Sequence, residues 1–170
     1  MEILKLSTDW AKAEVFSAKM VWLFSIIVLL SAFGFWYWGK TTMARAFVWP
    51  LVVSGLFLVA VGAGLFFANT PRISQFEQAA GNNPGAFVQQ ELQRTAKSQK
   101  DLATVFKVLP VLLVVSGLII LFLSSANWRA IGITLGLLAL FLMAVDSNTD
   151  ARNTIYHEQL KSLRNESGRE

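Results

Sequence analysis

Four apolar runs, almost empty of charge, limit this chain more than any other feature. They are residues 20–38 ("MVWLFSIIVLLSAFGFWYW"), 47–69 (closed by Pro71), 106–125 and 130–145. A helix that spans a bilayer needs about 20 apolar residues to cross about 30 Å of hydrocarbon. The first three runs meet that length. The fourth is shorter, and Trp128 and residues 147–149 extend it into the two interfaces. Hydrocarbon offers no partner to an exposed peptide group, so each run is expected to be a helix. The glycines of the second run do not argue otherwise, because membrane helices tolerate them.

Composition supports this reading. The 170 residues are 54% hydrophobic and only 15% charged, with a mean hydropathy of +0.49; soluble domains run near about 25% charged. The charges gather in the first twenty residues, the middle and the tail. The expected fold is an all-α integral membrane protein: one membrane domain over residues 1–170, four transmembrane helices, and cytoplasmic helical extensions between spans two and three and at both termini. The N-terminal stretch carries both signs of charge before its apolar run, unlike a secretory leader, and the first span is expected to be retained.

Lysine and arginine set the expected orientation. Lys5, Lys12 and Lys19 flank the first span, Arg72, Arg94, Lys97, Lys100 and Lys107 fill the middle loop, and Arg152, Lys161, Arg164 and Arg169 lie in the tail. The other two connections hold only Lys40, Arg45 and Arg129. Both termini and the middle loop are therefore expected in the cytoplasm, with the protein integral to the cytoplasmic (inner) membrane. Trp36, Tyr37, Trp38, Trp49 and Trp128 would form the aromatic belt of the opposite interface.

The hexapeptide LVVSGL occurs at residues 51–56 and 113–118. A duplicated hairpin would relate span one to three and span two to four, but the copies fall on spans two and three. The local reading is stronger: Ser54, Gly55, Ser116 and Gly117 are small residues that let helices approach. Gly55, Gly62 and Gly64 mark one expected contact face, and Gly132 and Gly136 another; a dimerisation face is the alternative.

The middle segment, residues 72–106, reads as a helical hairpin. Ile73, Phe76 and Ala80 share a face of a short helix, and GNNPG makes the turn. Val88, Leu92, Thr95, Gln99, Leu102 and Phe106 then follow alternating steps of four and three, a heptad-like seam. Pro110 is expected to kink the third span near the membrane surface. The tail, about 146–166, continues the fourth span, with Tyr156, Leu160 and Leu163 as its apolar stripe. A separate N-terminal helix is expected from Ser7 or Thr8, with Thr8 as its cap, Trp10, Ala13 and Ser17 on one face, and Trp10 and the lysines laid on the lipid headgroups.

Candidate chemistry is sparse. Asp146, Asp150, Asn153 and His157 fall on one helical face, and Asp146, Asp150 and His157 could hold a divalent cation. The alternatives are a solvated face or ion pairs with Arg94, Lys97 and Lys100. No ionisable residue lies centrally in any span, which disfavours a proton- or ion-coupled transporter. There is no cysteine, and His157 is the only histidine, so one chain cannot supply a bis-histidine haem anchor. No phosphate loop, nucleophile elbow or zinc-protease motif occurs. The pI of about 9.6 reflects basic residues on the expected cytoplasmic face, where anionic lipid explains them better than nucleic acid does.

These readings imply a non-enzymatic small polytopic protein without a cofactor. Its partners would be the lipid bilayer and either a partner protein or further copies of itself. It would act as an accessory subunit or as a blocker of the immunity type, through Val88, Leu92, Leu102, Phe106, Tyr156, Leu160 and Leu163. An oligomeric passive channel lined by Ser54, Ser116 or Thr134, a small transport component and a cation-binding protein are the alternatives.

Overall fold

The computed structural model describes residues 2–167, with side chains placed as far as Asn165; Arg169, counted in the charge of the tail, lies outside them. The described chain is all-α. Helix α1 is Glu2–Trp38, α2 Thr42–Ala46, α3 Val48–Asn82, α4 Pro84–Phe122 and α5 Ala126–Ser167. Four helices are long and apolar enough to cross a membrane. At about 1.5 Å per residue each long helix measures roughly 50–60 Å, about twice a hydrocarbon core. Each therefore has an apolar half and a polar half.

The ends follow from local chemistry. Thr41 caps α2 by accepting from the Ala44 N–H (3.1 Å), and the Arg45 side chain bonds the Gly39 carbonyl (3.2 Å). Between α3 and α4 the chain reverses at Asn83, whose Oδ1 accepts from the Ala86 N–H (3.0 Å). Pro84 follows in the first turn, where a missing N–H costs nothing. Pro50 is equally harmless near the start of α3.

Two expectations about helix breaks fail. Ser7 and Thr8 begin nothing: α1 is continuous from Glu2, and the Ser7 hydroxyl donates back to the Ile3 carbonyl (2.8 Å). Pro71 does not close α3, which runs on through it to Asn82. A helical proline leaves the carbonyl four residues earlier without its usual donor. Side chains bond the adjacent carbonyls, Asn69 Nδ2 to Leu65 O and Thr70 Oγ1 to Phe66 O, both at 2.8 Å. Pro110 likewise lies inside α4.

The long helices form two antiparallel pairs, α1 with α3 and α4 with α5, and few contacts join α3 to α4. Small residues form the seams. Ser25 Oγ donates to the Gly55 carbonyl (2.9 Å), and Ser116 Oγ donates to the Gly132 carbonyl (2.8 Å). A Cβ on Gly55 would strike Leu29, one on Gly62 the Trp22 ring, and one on Gly136 the Ser116 hydroxyl. Gly64, expected on the same face, has nothing near it and takes no part in the seam. The copies of LVVSGL are used differently: in the first the glycine packs against α1, whereas in the second the serine faces α5 and Gly117 meets open space.

The apolar halves bury little of themselves. Leu121 is 78% exposed, Phe122 77% and Phe67 70%, a surface that no water-soluble monomer tolerates at this extent. The core lies at the polar end, where Trp10, Ala11, Phe76, Phe87, Val88, Leu92, Tyr156 and Leu160 cluster. Trp10 is 8% exposed and stacks on Tyr156, with centroids 5.5 Å apart and planes at 17°. The sequence-based placement of Trp10 on lipid headgroups is thus corrected. Its large apolar area is better spent against an aromatic neighbour on α5.

Candidate functional site

The helical period explains how charge comes to be buried at the polar end. Trp10, Ala11, Glu14, Ser17, Ala18 and Val21 follow one face of α1, and all are buried. Phe87, Val88, Glu91, Leu92 and Thr95 do the same on α4. Each face carries one carboxylate among apolar neighbours, and an uncompensated buried charge is too costly to persist.

Both carboxylates find partners. Arg94, one turn after Glu91, binds it with a forked guanidinium: Nε to Oε1 at 2.9 Å and Nη2 to Oε2 at 2.7 Å. The Tyr156 hydroxyl donates to Glu91 Oε2 (2.8 Å) and lies 2.8 Å from Ser7 Oγ. The Arg94 guanidinium also sits 4.0 Å from the Trp10 ring centroid and 5.8 Å from that of Tyr156, so one cation lies beside both stacked rings. Burial and the Glu91 charge push the Tyr156 hydroxyl well above its ordinary pKa, keeping it a neutral donor. Glu14 is bound by Arg152 from α5, Nη2 to Oε1 at 2.9 Å, and the same Nη2 reaches Ser17 Oγ at 2.8 Å. Helices α1, α4 and α5 are therefore tied together by charge-assisted bonds.

His157 lies on the other side of α5. Its Nδ1 is 2.6 Å from Thr95 Oγ1, and Asn153 Nδ2 donates to the Thr95 carbonyl (3.1 Å). Burial, with Lys161 nearby, holds the imidazole below its ordinary pKa. Among the described residues no three of His, Asp and Glu converge closely enough to hold a metal ion. The stripe from Asp146 to His157 is divided: Asn153 and His157 are buried against α4, and Asp146 lines a cavity nearer the apolar half. Arg94, considered as its ionic partner, is paired with Glu91 instead.

That cavity, about 460 Å³, is walled by all four long helices where polar and apolar halves meet. Leu65, Ala68, Leu102, Val105 and Val145 form its apolar part, and Glu14, Arg72, Arg94, Lys97, Asp101 and Asp146 bring charge to it. Arg72 donates to Asn69 Oδ1 at 2.7 Å and sits 5.9 Å from the Trp10 centroid. Burial and the nearby Arg94 hold its pKa below the usual arginine value. Asp146 is half-buried, and burial with the Glu14 charge raises its pKa.

A second, apolar groove of about 360 Å³ lies between α3 and α5 in the apolar half, lined by Trp49, Pro50, Val53, Ser54, Ile131, Thr134 and Leu135. Thr134 Oγ1 is buried there without a hydrogen-bond partner. Ser54 and Thr134 thus share this groove, while Ser116 is engaged with Gly132.

Of the residues expected to meet a partner, Val88, Leu92, Leu102, Tyr156 and Leu160 are buried within the chain, and Phe106 and Leu163 are half-buried. Glu14, Glu91 and Trp10 are the core members that sequence reasoning undervalued. For the two glutamates the signal was a carboxylate at three- or four-residue spacing within an otherwise apolar face.

In comparisons with protein-family models, curated proteins and solved structures, the chain matches none. Its class is therefore set by its own geometry: an all-α protein with four helices apolar enough to sit in a lipid bilayer.

Proposed function

We propose that this chain is a non-enzymatic, four-span protein of the cytoplasmic membrane that works by binding a transmembrane helix of a partner protein, as an accessory subunit or blocker. Both termini and the polar end of the α3–α4 hairpin lie in the cytoplasm, as the bias of lysine and arginine indicates. The apolar stripes of the polar end are not the docking surface, because the chain uses them for its own core. The α3–α5 groove takes that role. The observation that carries the reading is the Thr134 hydroxyl, buried and unpartnered beside Ser54 in an apolar trough between two loosely joined helix pairs. Interhelical hydroxyl bonds and close packing are what bind helices within lipid, where apolar burial alone gains nothing.

The non-enzymatic part of the proposal rests on the polar groups themselves. Glu91, Tyr156, Arg94, Glu14, Arg152 and Thr95 are each engaged with another side chain and hold helices together. A photo-crosslinking side chain at Val53 or Leu135 tests the docking surface in native membranes. A discrete heterologous adduct at these positions, absent when the probe is at lipid-facing Leu30, is the expected result. Adducts only between differently tagged copies of the chain, with ion conduction by purified protein in bilayers, would replace the proposal with an oligomeric channel.

A further inference from the structure

The charges of the four-helix cavity are only partly spoken for. Glu14 is matched by Arg152, and Arg94 by Glu91. Among the described residues, Arg72 on α3, Lys97 on α4 and Asp146 on α5 form no ion pair, although all three line the cavity. Arg72 spends one nitrogen on Asn69 and leaves the remaining donors of its fork unused. Trp10, also in the wall, has an indole N–H without an acceptor. Of the other two carboxylates of the wall, Glu14 is paired with Arg152 and Asp101 is exposed; Lys97 is exposed as well and reaches the cavity from its rim.

Unpaired charges of both signs narrow the ligand class. A simple phosphate would suit Arg72 and Lys97 but meet Asp146, and a simple amine would suit Asp146 but meet Arg72. A small group that carries both signs satisfies all three. The planar guanidinium fork matches phosphate oxygens, and lysine serves as a point charge beside it. The apolar wall is drawn from the ends of the apolar runs or residues just beyond them (Leu65, Ala68, Leu102, Val105 and Val145), a placement that suits a ligand bound at headgroup depth. Its volume falls within the range of about 300–1,000 Å³ typical of small-molecule sites.

We infer that the cavity binds a phosphoethanolamine group, with the phosphate on Arg72 and Lys97 and the ammonium on Asp146. The ammonium donates hydrogen bonds that a trimethylated amine cannot, so phosphatidylethanolamine is favoured over phosphatidylcholine. The group can arrive on a lipid or on a soluble phosphoethanolamine ester.

Native mass spectrometry of the full chain in mild detergent tests this. Phosphatidylethanolamine, phosphatidylglycerol and phosphatidylcholine of identical acyl chains are added at equal concentration. The wild type should retain the ethanolamine lipid in preference to both others. Arg72→Gln should weaken that binding about tenfold, the loss of one charge-assisted contact. Lys97→Gln, at an exposed position, should weaken it less and keeps the test intact if the first variant does not fold. Asp146→Asn should abolish the preference over phosphatidylglycerol. Competition by soluble glycerophosphoethanolamine would identify the headgroup as sufficient, and lack of competition with the lipid preference retained would identify the lipid as the ligand; both support the site. Equal retention of all three lipids by the wild type, or unchanged ethanolamine-lipid binding in Lys97→Gln together with a folded Arg72→Gln, would overturn it.

Discussion

Replacing Glu91 should show how much the polar end depends on its buried charge. The Glu91 carboxylate is 4% exposed and accepts from Arg94 and Tyr156, whereas the Arg94 side chain is 21% exposed. Glu91→Ala removes one partner, leaving the guanidinium short of a counterion and the Tyr156 hydroxyl with Ser7 Oγ as its remaining acceptor. Breaking a buried pair from one side costs about 3–5 kcal/mol; the residual hydration of Arg94 places this case at the lower end, near ~3 kcal/mol. With a shift of about 2–4 °C in Tm per kcal/mol for a chain of this size, the expected loss is roughly 6–12 °C. Glu91→Gln keeps shape and one acceptor and should lose about half as much. The double variant Glu91→Leu/Arg94→Leu should recover most of the loss, since replacing both charges with apolar groups is often neutral. Thermal unfolding in mild detergent, followed by near-ultraviolet circular dichroism of the Trp10–Tyr156 stack, reads all three. A Glu91→Ala variant within 2 °C of wild type, at about 2–4 °C per kcal/mol, would refute the reasoning, because it would mean that water already satisfies these groups.

Two further outcomes follow from local geometry. The folded-state pKa of His157 is lowered from its ordinary 6.5, so between those two values the unfolded chain binds more protons. Stability should therefore be full above about pH 6.5 and fall as the pH drops through the lowered folded value; His157→Gln should flatten this part of a Tm–pH profile, and an unchanged profile would count against the buried neutral imidazole. At the α1–α3 seam, Gly62→Ala would place a methyl group into the Trp22 ring and should cost about 1–3 kcal/mol, while Gly64→Ala, with open space around it, should not lower Tm.

The apolar halves of the helices were legible because hydrophobic runs of spanning length have few other solutions, and the reversal at Asn83 was written in GNNPG. Helix breaks were harder to read. Thr8 has the side chain of a cap and Pro71 that of a terminator, yet both lie inside helices whose neighbours bond the local carbonyls. The core at the polar end was legible one helix at a time. The seam on α4 and the stripe on α5 were visible as faces, but their mutual burial, and that of Trp10, depends on partners far apart in the chain. Ser7, Glu91 and Tyr156 meet from three helices, and no spacing rule joins them. Glycine showed the same limit. Gly55, Gly62 and Gly64 were equivalent as small residues, and only the rotation of α3 against α1 separates the two that touch from the one that does not.

Membrane sidedness underlies both the partner-binding proposal and the headgroup site, and the absence of native cysteine makes it directly measurable. Single cysteines at exposed Thr41, Asn82 and Asn165 would be exposed to an impermeant thiol reagent on intact cells and again after permeabilisation. Labelling of Thr41→Cys alone on intact cells, with Asn82→Cys and Asn165→Cys reacting only after permeabilisation, is the expected result. Labelling of Asn82→Cys or Asn165→Cys on intact cells, with Thr41→Cys protected, would contradict it.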